Sequence, residues 1–407
     1  MNHVQLKNTG YNKLISLFIL VLWPFMALLV AVRNFKSSFS KTLLIGVVAF
    51  IGMTANSEGD LERYEAIYHI NSNLTIGEMW TNLIGLQDGK FYISAFAFLL
   101  NLFTDNYHIY FAFLYTIFGY YLVNFVYLFF DEKVIKNTKL YGLLFFISFA
   151  LFFSIRNSLN LAFYTGVIYY MYFISKSIIL KKNKFLLFLL LTPLFHFSLA
   201  ILLIPTFLYV YLKNKPITCV ILVVITLGLN QSSITGIIQQ YANSNKGTII
   251  EDKYRSYASE DGMERLEERY RKGELNYNWK LKLLNTTREI IIDFFSKIGV
   301  FLIFFYRKKL GLKEEKLNML SLVLLLWATC NLTVNFSNGD RFLILFSAMA
   351  YALFIMMLED VKKIKLYYIF TLILIPLSLF FGVMSLYASN KFISEYFYFS
   401  NFLIELF

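Results

Sequence analysis

A few ionisable side chains stand where the surrounding sequence makes charge expensive. Arg156 follows the apolar run 140–155 and precedes Asn157, Ser158 and Asn160. A charge inside a membrane span costs about 2.5–3.5 kcal/mol on insertion scales, so each one needs a reason. An arginine at a helix end can snorkel to the interface. Here, however, polar side chains continue into the next apolar run, which snorkelling does not need, and a guanidinium can hold a phosphate through two parallel hydrogen bonds. His196 stands in Pro193-Leu194-Phe195-His196-Phe197-Ser198, between two short apolar runs, whereas His3, His69 and His108 lie in a terminus, a loop and a helix start. Pro193 interrupts a helix, a geometry tolerated at membrane depth only within protein or beside water. His196 is therefore either a neutral core imidazole bonded to a carbonyl, or a general base or phosphate donor. Asp340 and Arg341 follow Gly339, and Arg341 opens the next apolar run. The positive end of the helix dipole opposes a cation there, so Arg341 serves an anion, either Asp340 or a ligand. Arg288 enters another run with Glu289 and Asp293 close in sequence, which permits an ion pair or a ligand contact. Asp60 either caps a helix starting at Leu61 or, with Arg63 and Tyr64, lines the mouth of a polar chamber.

The elements that carry these residues are transmembrane helices. The chain has 407 residues, 58% hydrophobic and only 16% charged, with a mean hydropathy of +0.58. Soluble domains lie near 45–50% apolar and about 25% charged. Apolar runs recur along the whole length, so we expect an all-α, polytopic, single transmembrane domain over 1–407 rather than a soluble domain with one anchor. The expected spans, about twelve, are 14–32, 42–55, 107–130, 140–155, 159–180, 185–196, 197–212, 216–231, 288–306, 317–334, 341–359 and 366–388. The segments 42–55 and 185–196 are short and must be tilted or be half-helices inside the bundle. No cleavable leader is expected, because 14–32 is long enough to span and no small-residue cleavage site follows it.

The net charge of +12 resides mostly in short loops between apolar runs, which assigns it to membrane orientation and not to nucleic acid. The corners at 33–41, Lys181 to Lys184, Lys213 to Lys215, 307–316 and 362–365 all fall on one side if the spans alternate, and that side is the cytoplasm. The alternation requires the run 91–104 to be re-entrant or interfacial. Both termini then lie outside, as do an outer loop over 56–106 and a large, partly helical one over 232–287. The aromatic tail 392–407 reads as an interfacial helix. Cys219 and Cys330 sit inside apolar runs and imply neither a disulfide framework nor a metal cluster.

With these residues in order, the chain resembles the EpsG-like branch of the Wzy polysaccharide polymerases. The resembling features are the acidic element with Asp60 and Tyr64, and Ser154-Ile155-Arg156-Asn157-Ser158 leading into a Tyr- and Phe-rich helix. The basic corner at Lys181 to Lys184, Leu194-Phe195-His196-Phe197-Ser198-Leu199, and Asp340-Arg341-Phe342 then follow in the expected order. Where such polymerases often have Gln and Ala after the first arginine, this chain has Asn157 and Ser158. The resemblance implies a fold related to GT-C glycosyltransferases and a metal-independent enzyme without cofactors. It implies undecaprenyl-diphosphate-linked oligosaccharide repeats as donor and acceptor, joined on the outer face of the bacterial plasma membrane into O-antigen or capsule. Implied partners are these lipid-linked glycans and membrane lipid, with a chain-length regulator and a flippase, and no nucleic acid.

On that reading the leaving group is a prenyl diphosphate, and Arg156, Arg341 and Arg288 are the cations placed where its charge develops. His196, and after it Asp60, is the base for the attacking sugar hydroxyl. Arg63, Tyr64, Asn157, Asn160 and Asp340 contact sugar. One direct displacement would invert the anomeric carbon. The alternatives are an O-antigen ligase-like transferase, which differs in acceptor, and a lipid-linked oligosaccharide flippase or transporter. A flippase should have two related halves and few large outer loops, and a transporter should have paired broken helices with an acidic relay.

Overall fold

The structure is a computed structural model and describes residues 10–35, 37–57, 60–84, 91–129, 160–229, 279–333, 339, 341–358, 360, 364–389 and 396–406. Among the described residues every regular element is helical. The order is α1 (Gly10–Leu22), α2 (Pro24–Arg33), α3 (Ser38–Met53), α4 (Asp60–Asn71), α5 (Ile76–Ile84), α6 (Phe91–Asn101), α7 (Tyr107–Phe129) and α8 (Leu161–Leu180). Then come α9 (Lys184–Leu187), a 3₁₀ turn (Phe188–Leu191), α10 (Thr192–Phe195), a second 3₁₀ stretch (Phe197–Leu202), α11 (Leu203–Leu212) and α12 (Pro216–Gly228). After these follow α13 (Trp279–Leu310), α14 (Glu314–Thr333), α15 (Arg341–Met356), α16 (Lys365–Ser389), α17 (Tyr396–Phe399) and α18 (Phe402–Leu406).

Three of these helices, α7, α8 and α14, are long and apolar enough to cross a membrane. Several others that fall on expected spans, α1, α2, α11 and α12 among them, are shorter, and the breaks between them have local causes. The single span expected at 14–32 is two helices. Pro24 supplies no N–H and restricts the residue before it, so Trp23 takes an extended conformation (φ −154°, ψ 81°) and α2 restarts with proline at its head. α3 begins earlier than the span 42–55 because Ser37 caps it, its hydroxyl accepting from the Phe39 N–H at 3.2 Å. α13 starts at Trp279, inside the loop expected over 232–287. The remainder of the described part of that loop is only the start of this helix, and the span 140–155 lies outside the described residues. α6 has 11 residues, about 16 Å of helix, which is half a bilayer. The aromatic tail is two short helices instead of one, because the Asn401 side chain accepts from the N–H groups of Leu403 and Ile404, both at 3.0 Å, and so starts α18 afresh. The tail docks on the beginning of the chain: Trp23 Nε1 donates to the Tyr398 carbonyl at 3.0 Å and Phe397 is buried against Phe25 and Phe50.

Close helix approach depends on missing side chains. A Cβ on Gly52 would lie 2.5 Å from the Tyr115 ring, and one on Gly119 3.0 Å from Val48, so α3 and α7 meet backbone to side chain along their length. The chain from Lys181 to Leu212 is a hairpin laid along α8. Lys181 reverses the chain in the left-handed conformation (φ 53°), and the Lys182 N–H closes on the Ser177 carbonyl at 3.1 Å. On the way back Phe188 stacks on Phe173, Phe195 packs against Tyr169, and His196 reaches Phe163. The 3₁₀ turn interrupts the i→i−4 ladder, and the Tyr169 hydroxyl takes up the Phe188 carbonyl at 2.9 Å. The outgoing arm passes Tyr170, whose hydroxyl lies 3.2 Å from Thr206 Oγ1. His196 is therefore the apex of the hairpin, level with the first turn of α8.

Most basic corners gather at the other end. Lys181 pairs with Glu314 (3.3 Å) and Glu315 (3.0 Å), joining the end of α8 to the start of α14. Lys316 pairs with Asp360 at 2.5 Å. Lys41 lies 4.7 Å over the Tyr127 ring, joining the start of α3 to the end of α7. Packing of Tyr121 on Tyr169 and Tyr172 aligns that end of α7 with the far end of α8.

Candidate active site

The cluster opposite the basic end is built around the first turn of α8. A helix begins with N–H groups that have no partner inside it. Asn160 caps α8, its Oδ1 accepting from the Phe163 N–H at 3.3 Å, and the Tyr64 hydroxyl accepts from the Ala162 N–H at 3.5 Å. The same hydroxyl donates to Asn160 Oδ1 at 3.5 Å. Two donors at the head of α8 are thus satisfied by one buried tyrosine from α4 and one asparagine, residues separated by 96 positions in the chain. Tyr64 is held on α4 with Leu61 and Tyr68, all fully buried. Nearby on that face, the Tyr68 hydroxyl bonds the Thr104 carbonyl and the Tyr110 hydroxyl donates to the Ile93 carbonyl at 3.1 Å, tying α4, α6 and α7 together.

Phe163 is the hub. Its ring is 1% exposed and meets His196 edge-on at 5.6 Å between centroids and Phe342 at 5.7 Å. The Arg341 guanidinium carbon lies 5.7 Å from the centre of the same ring. Arg341 opens α15, as expected, and is half-buried. Among the described residues no carboxylate forms a salt bridge with it. His196 takes an extended backbone (φ −158°, ψ 128°) between α10 and the second 3₁₀ stretch. Its Nδ1 lies 2.8 Å from Ser198 Oγ and accepts from the Ser198 N–H at 3.3 Å, so the side chain caps the outgoing arm. Nδ1 is thereby engaged with the local turn, which fixes the orientation of the ring. Gly166 makes the apex fit, because a Cβ there would lie 2.7 Å from Phe195 Cβ and would also meet Leu199.

Burial raises the Tyr64 phenol well above its ordinary pKa, the Asp60 carboxylate pushes the same way, and Arg341 opposes them. Tyr64 is therefore a neutral hydrogen-bonding group, and both Asp60 and Arg341 lie within its electrostatic reach. Asp60 begins α4, where a carboxylate suits the helix dipole, and it pairs with Arg63 at 3.5 Å. Arg63 is 64% exposed at the rim.

Of the residues singled out from sequence, Asp60, Tyr64, Asn160, His196 and Arg341 come together here, and Arg63 stands at the edge. Arg156, Asn157 and Asp340 lie outside the described residues, as does the Arg288 side chain, although its backbone is in α13. Phe163 carries no mark in the sequence. In a chain that is 19% aromatic, one phenylalanine in a Tyr- and Phe-rich helix carries no signal of its own. The pairing expected for Arg288 with Asp293 has a competitor, since Asp293 bonds Lys297 at 2.6 Å one turn away.

Chemically, the cluster offers a guanidinium, an imidazole, a neutral phenol, an amide and a carboxylate at the ends of separate helices, on an aromatic floor. That set can hold an anion and bond to hydroxyls. Neither a curated protein nor a solved structure matches the chain. The EpsG family model matches residues 37–399, a stretch that includes every residue of this cluster. The chain is a polysaccharide-polymerase-like membrane protein and belongs to the EpsG family.

Proposed function

We propose that the protein joins undecaprenyl-diphosphate-linked oligosaccharide repeats into a surface polysaccharide, O-antigen or capsule, on the outer face of the bacterial plasma membrane. The observation that carries this reading is the meeting of Arg341 and His196 on one Phe163 ring. Tyr64, Asn160 and Asp60 stand beside it, at the end of the bundle away from the basic corners. Basic corners mark the cytoplasmic side, so the cluster faces out, and with about twelve crossings both termini do too.

The steps follow from the groups. Displacement at the anomeric carbon expels a prenyl diphosphate, and Arg341, joined by Arg156 and Arg288, stabilises its developing charge. A guanidinium resting on an aromatic face is weakly hydrated and presents its fork to phosphate. His196, with Nδ1 fixed by Ser198, turns Nε2 to the attacking hydroxyl as general base, and Asp60 is the second candidate. Tyr64, Asn160, Asn157, Arg63 and Asp340 hold sugar hydroxyls. The scaffold is GT-C-like, the transfer inverting and metal-independent, and a flippase and a chain-length regulator act alongside it.

The test is electrophoresis of surface glycan from a knockout strain complemented with wild type or Arg341→Ala. A polymerase gives single repeats in the knockout and in the variant, with normal protein level. Long chains from Arg341→Ala would remove this arginine from the reaction, and complete loss of glycan in the knockout would indicate a flippase or ligase.

A further inference from the structure

The basic end of the bundle holds a cavity of about 690 Å³ between the start of α12 and the end of α13. Lys215, Thr218, Arg307 and Lys308 supply its polar wall, and Ile217 and Leu312 supply part of its apolar one. Among the described residues that bound it none is acidic. This separates it from the rest of that end, where Lys181 is met by Glu314 and Glu315, and Lys316 by Asp360. Lysines that serve only to orient a protein need no common focus, yet these cations converge on one space.

Two tight turns hold the walls. Asn214 (φ 61°) and Gly311 (φ 57°) both take the left-handed conformation, reversing the chain at the ends of α11 and α13 within a residue or two. Arg307 is fixed in advance: it donates to the Phe304 carbonyl at 2.7 Å and lies 4.2 Å over the Phe304 ring. One N–H of its five is used by that bond. From Ile217 in the cavity wall, Ile221 and Val224 of α12 continue an apolar ridge leading away along the helix, the three being 55%, 53% and 62% exposed.

We propose that this cavity binds the phosphate of an anionic membrane lipid, with the headgroup among Lys215, Arg307 and Lys308 and an acyl chain along the ridge of α12. A cationic pocket rimmed by exposed apolar side chains fits a lipid better than a free ion, which would gain nothing from the ridge. Each basic residue near a membrane surface contributes about a fivefold preference for anionic lipid, so two together contribute about thirtyfold.

The experiment uses the full chain in nanodiscs of phosphatidylcholine with or without phosphatidylglycerol. Retained lipid is measured by native mass spectrometry and thermal stability by melting, and inorganic phosphate is titrated in detergent as a separate arm. Wild type should retain phosphatidylglycerol and melt higher with it. Lys215→Gln/Lys308→Gln should lose about thirtyfold in relative affinity, Lys215→Arg/Lys308→Arg should keep it, and all should melt alike in phosphatidylcholine. Lys182→Gln/Lys184→Gln removes the same charge from the same end, away from the cavity, and should lose clearly less than the cavity pair does. A response to inorganic phosphate alone would overturn the lipid assignment. Equal losses in the two glutamine pairs, or a loss in neither, would overturn the site.

Discussion

If Phe163 fixes both Arg341 and His196, replacing it should damage turnover more than its effect on folding explains. Phe163→Leu keeps apolar bulk but removes the edge-on contacts with His196 (5.6 Å, 85°) and Phe342 (5.7 Å, 79°) and the face beneath Arg341. Aromatic pairs contribute about 0.5–1.5 kcal/mol each beyond their area, and a cation over a ring about 0.5–1 kcal/mol. The whole change should therefore destabilise the protein by about 1.5–4 kcal/mol. The part that bears on the two site residues, one ring pair and the cation contact, is about 1–2.5 kcal/mol. Where that positioning is needed in the transition state, the rate falls about 5- to 70-fold. Phe354→Leu is the control: this ring is also fully buried, meets Tyr351 at 5.8 Å and Phe370 at 5.7 Å, and lies in the same helix as Arg341 but several turns away. Both variants are reconstituted with lipid-linked repeats, melted, and assayed for polymer per folded molecule. The expectation is similar melting losses with a rate defect confined to Phe163→Leu. Equal rates per folded molecule would refute the reasoning, because Phe163 would then be ordinary core.

His196→Asn keeps an acceptor for the Ser198 N–H and should fold, yet lose long chains; full activity in reconstituted vesicles would leave the imidazole with its capping role alone. Gly166→Val should force the hairpin off α8, since even a Cβ comes within 2.7 Å of Phe195; overpacking of this kind costs about 1–3 kcal/mol and should appear as a lower melting temperature together with reduced polymer. Lys316→Met removes one partner of Asp360 in a pair whose side chains are 17% and 12% exposed, and should destabilise the protein by up to about 3 kcal/mol without changing chain length in the surviving protein.

The elements were legible in proportion to how local their causes are. Runs such as 107–130 and 159–180 announce their helices because a span of that length has no other way to satisfy its backbone. The split at Pro24 was equally present in the sequence, and treating 14–32 as one run ignored a residue that cannot continue a helix from the residues before it. What no local pattern carries is partnership. Tyr64 and Asn160 each had a polar side chain worth noting, but that both serve the first turn of α8 depends on α4 folding back beneath it. Ion pairs such as Lys181 with Glu314 and Glu315 likewise join corners that sequence reading could assign to one side of the membrane but not to one another.

The two ends of the bundle thus divide the labour that charge performs in this chain. At one end, cations are paired with acids or converge on a pocket whose described lining has none. At the other, Arg341 meets aromatic carbon and no described carboxylate, although it stands at a helix start where the dipole repels it. A cation kept in so unfavourable a place, with no carboxylate pairing it among the described residues, is stabilised by an anion that arrives there. On the function proposed above, the anion that arrives with every turnover is a diphosphate. Arg341 should therefore lower the protein's melting temperature when alone and raise it when a prenyl diphosphate is bound. In Arg341→Ala that ligand-dependent gain should shrink even where the unliganded protein is slightly more stable.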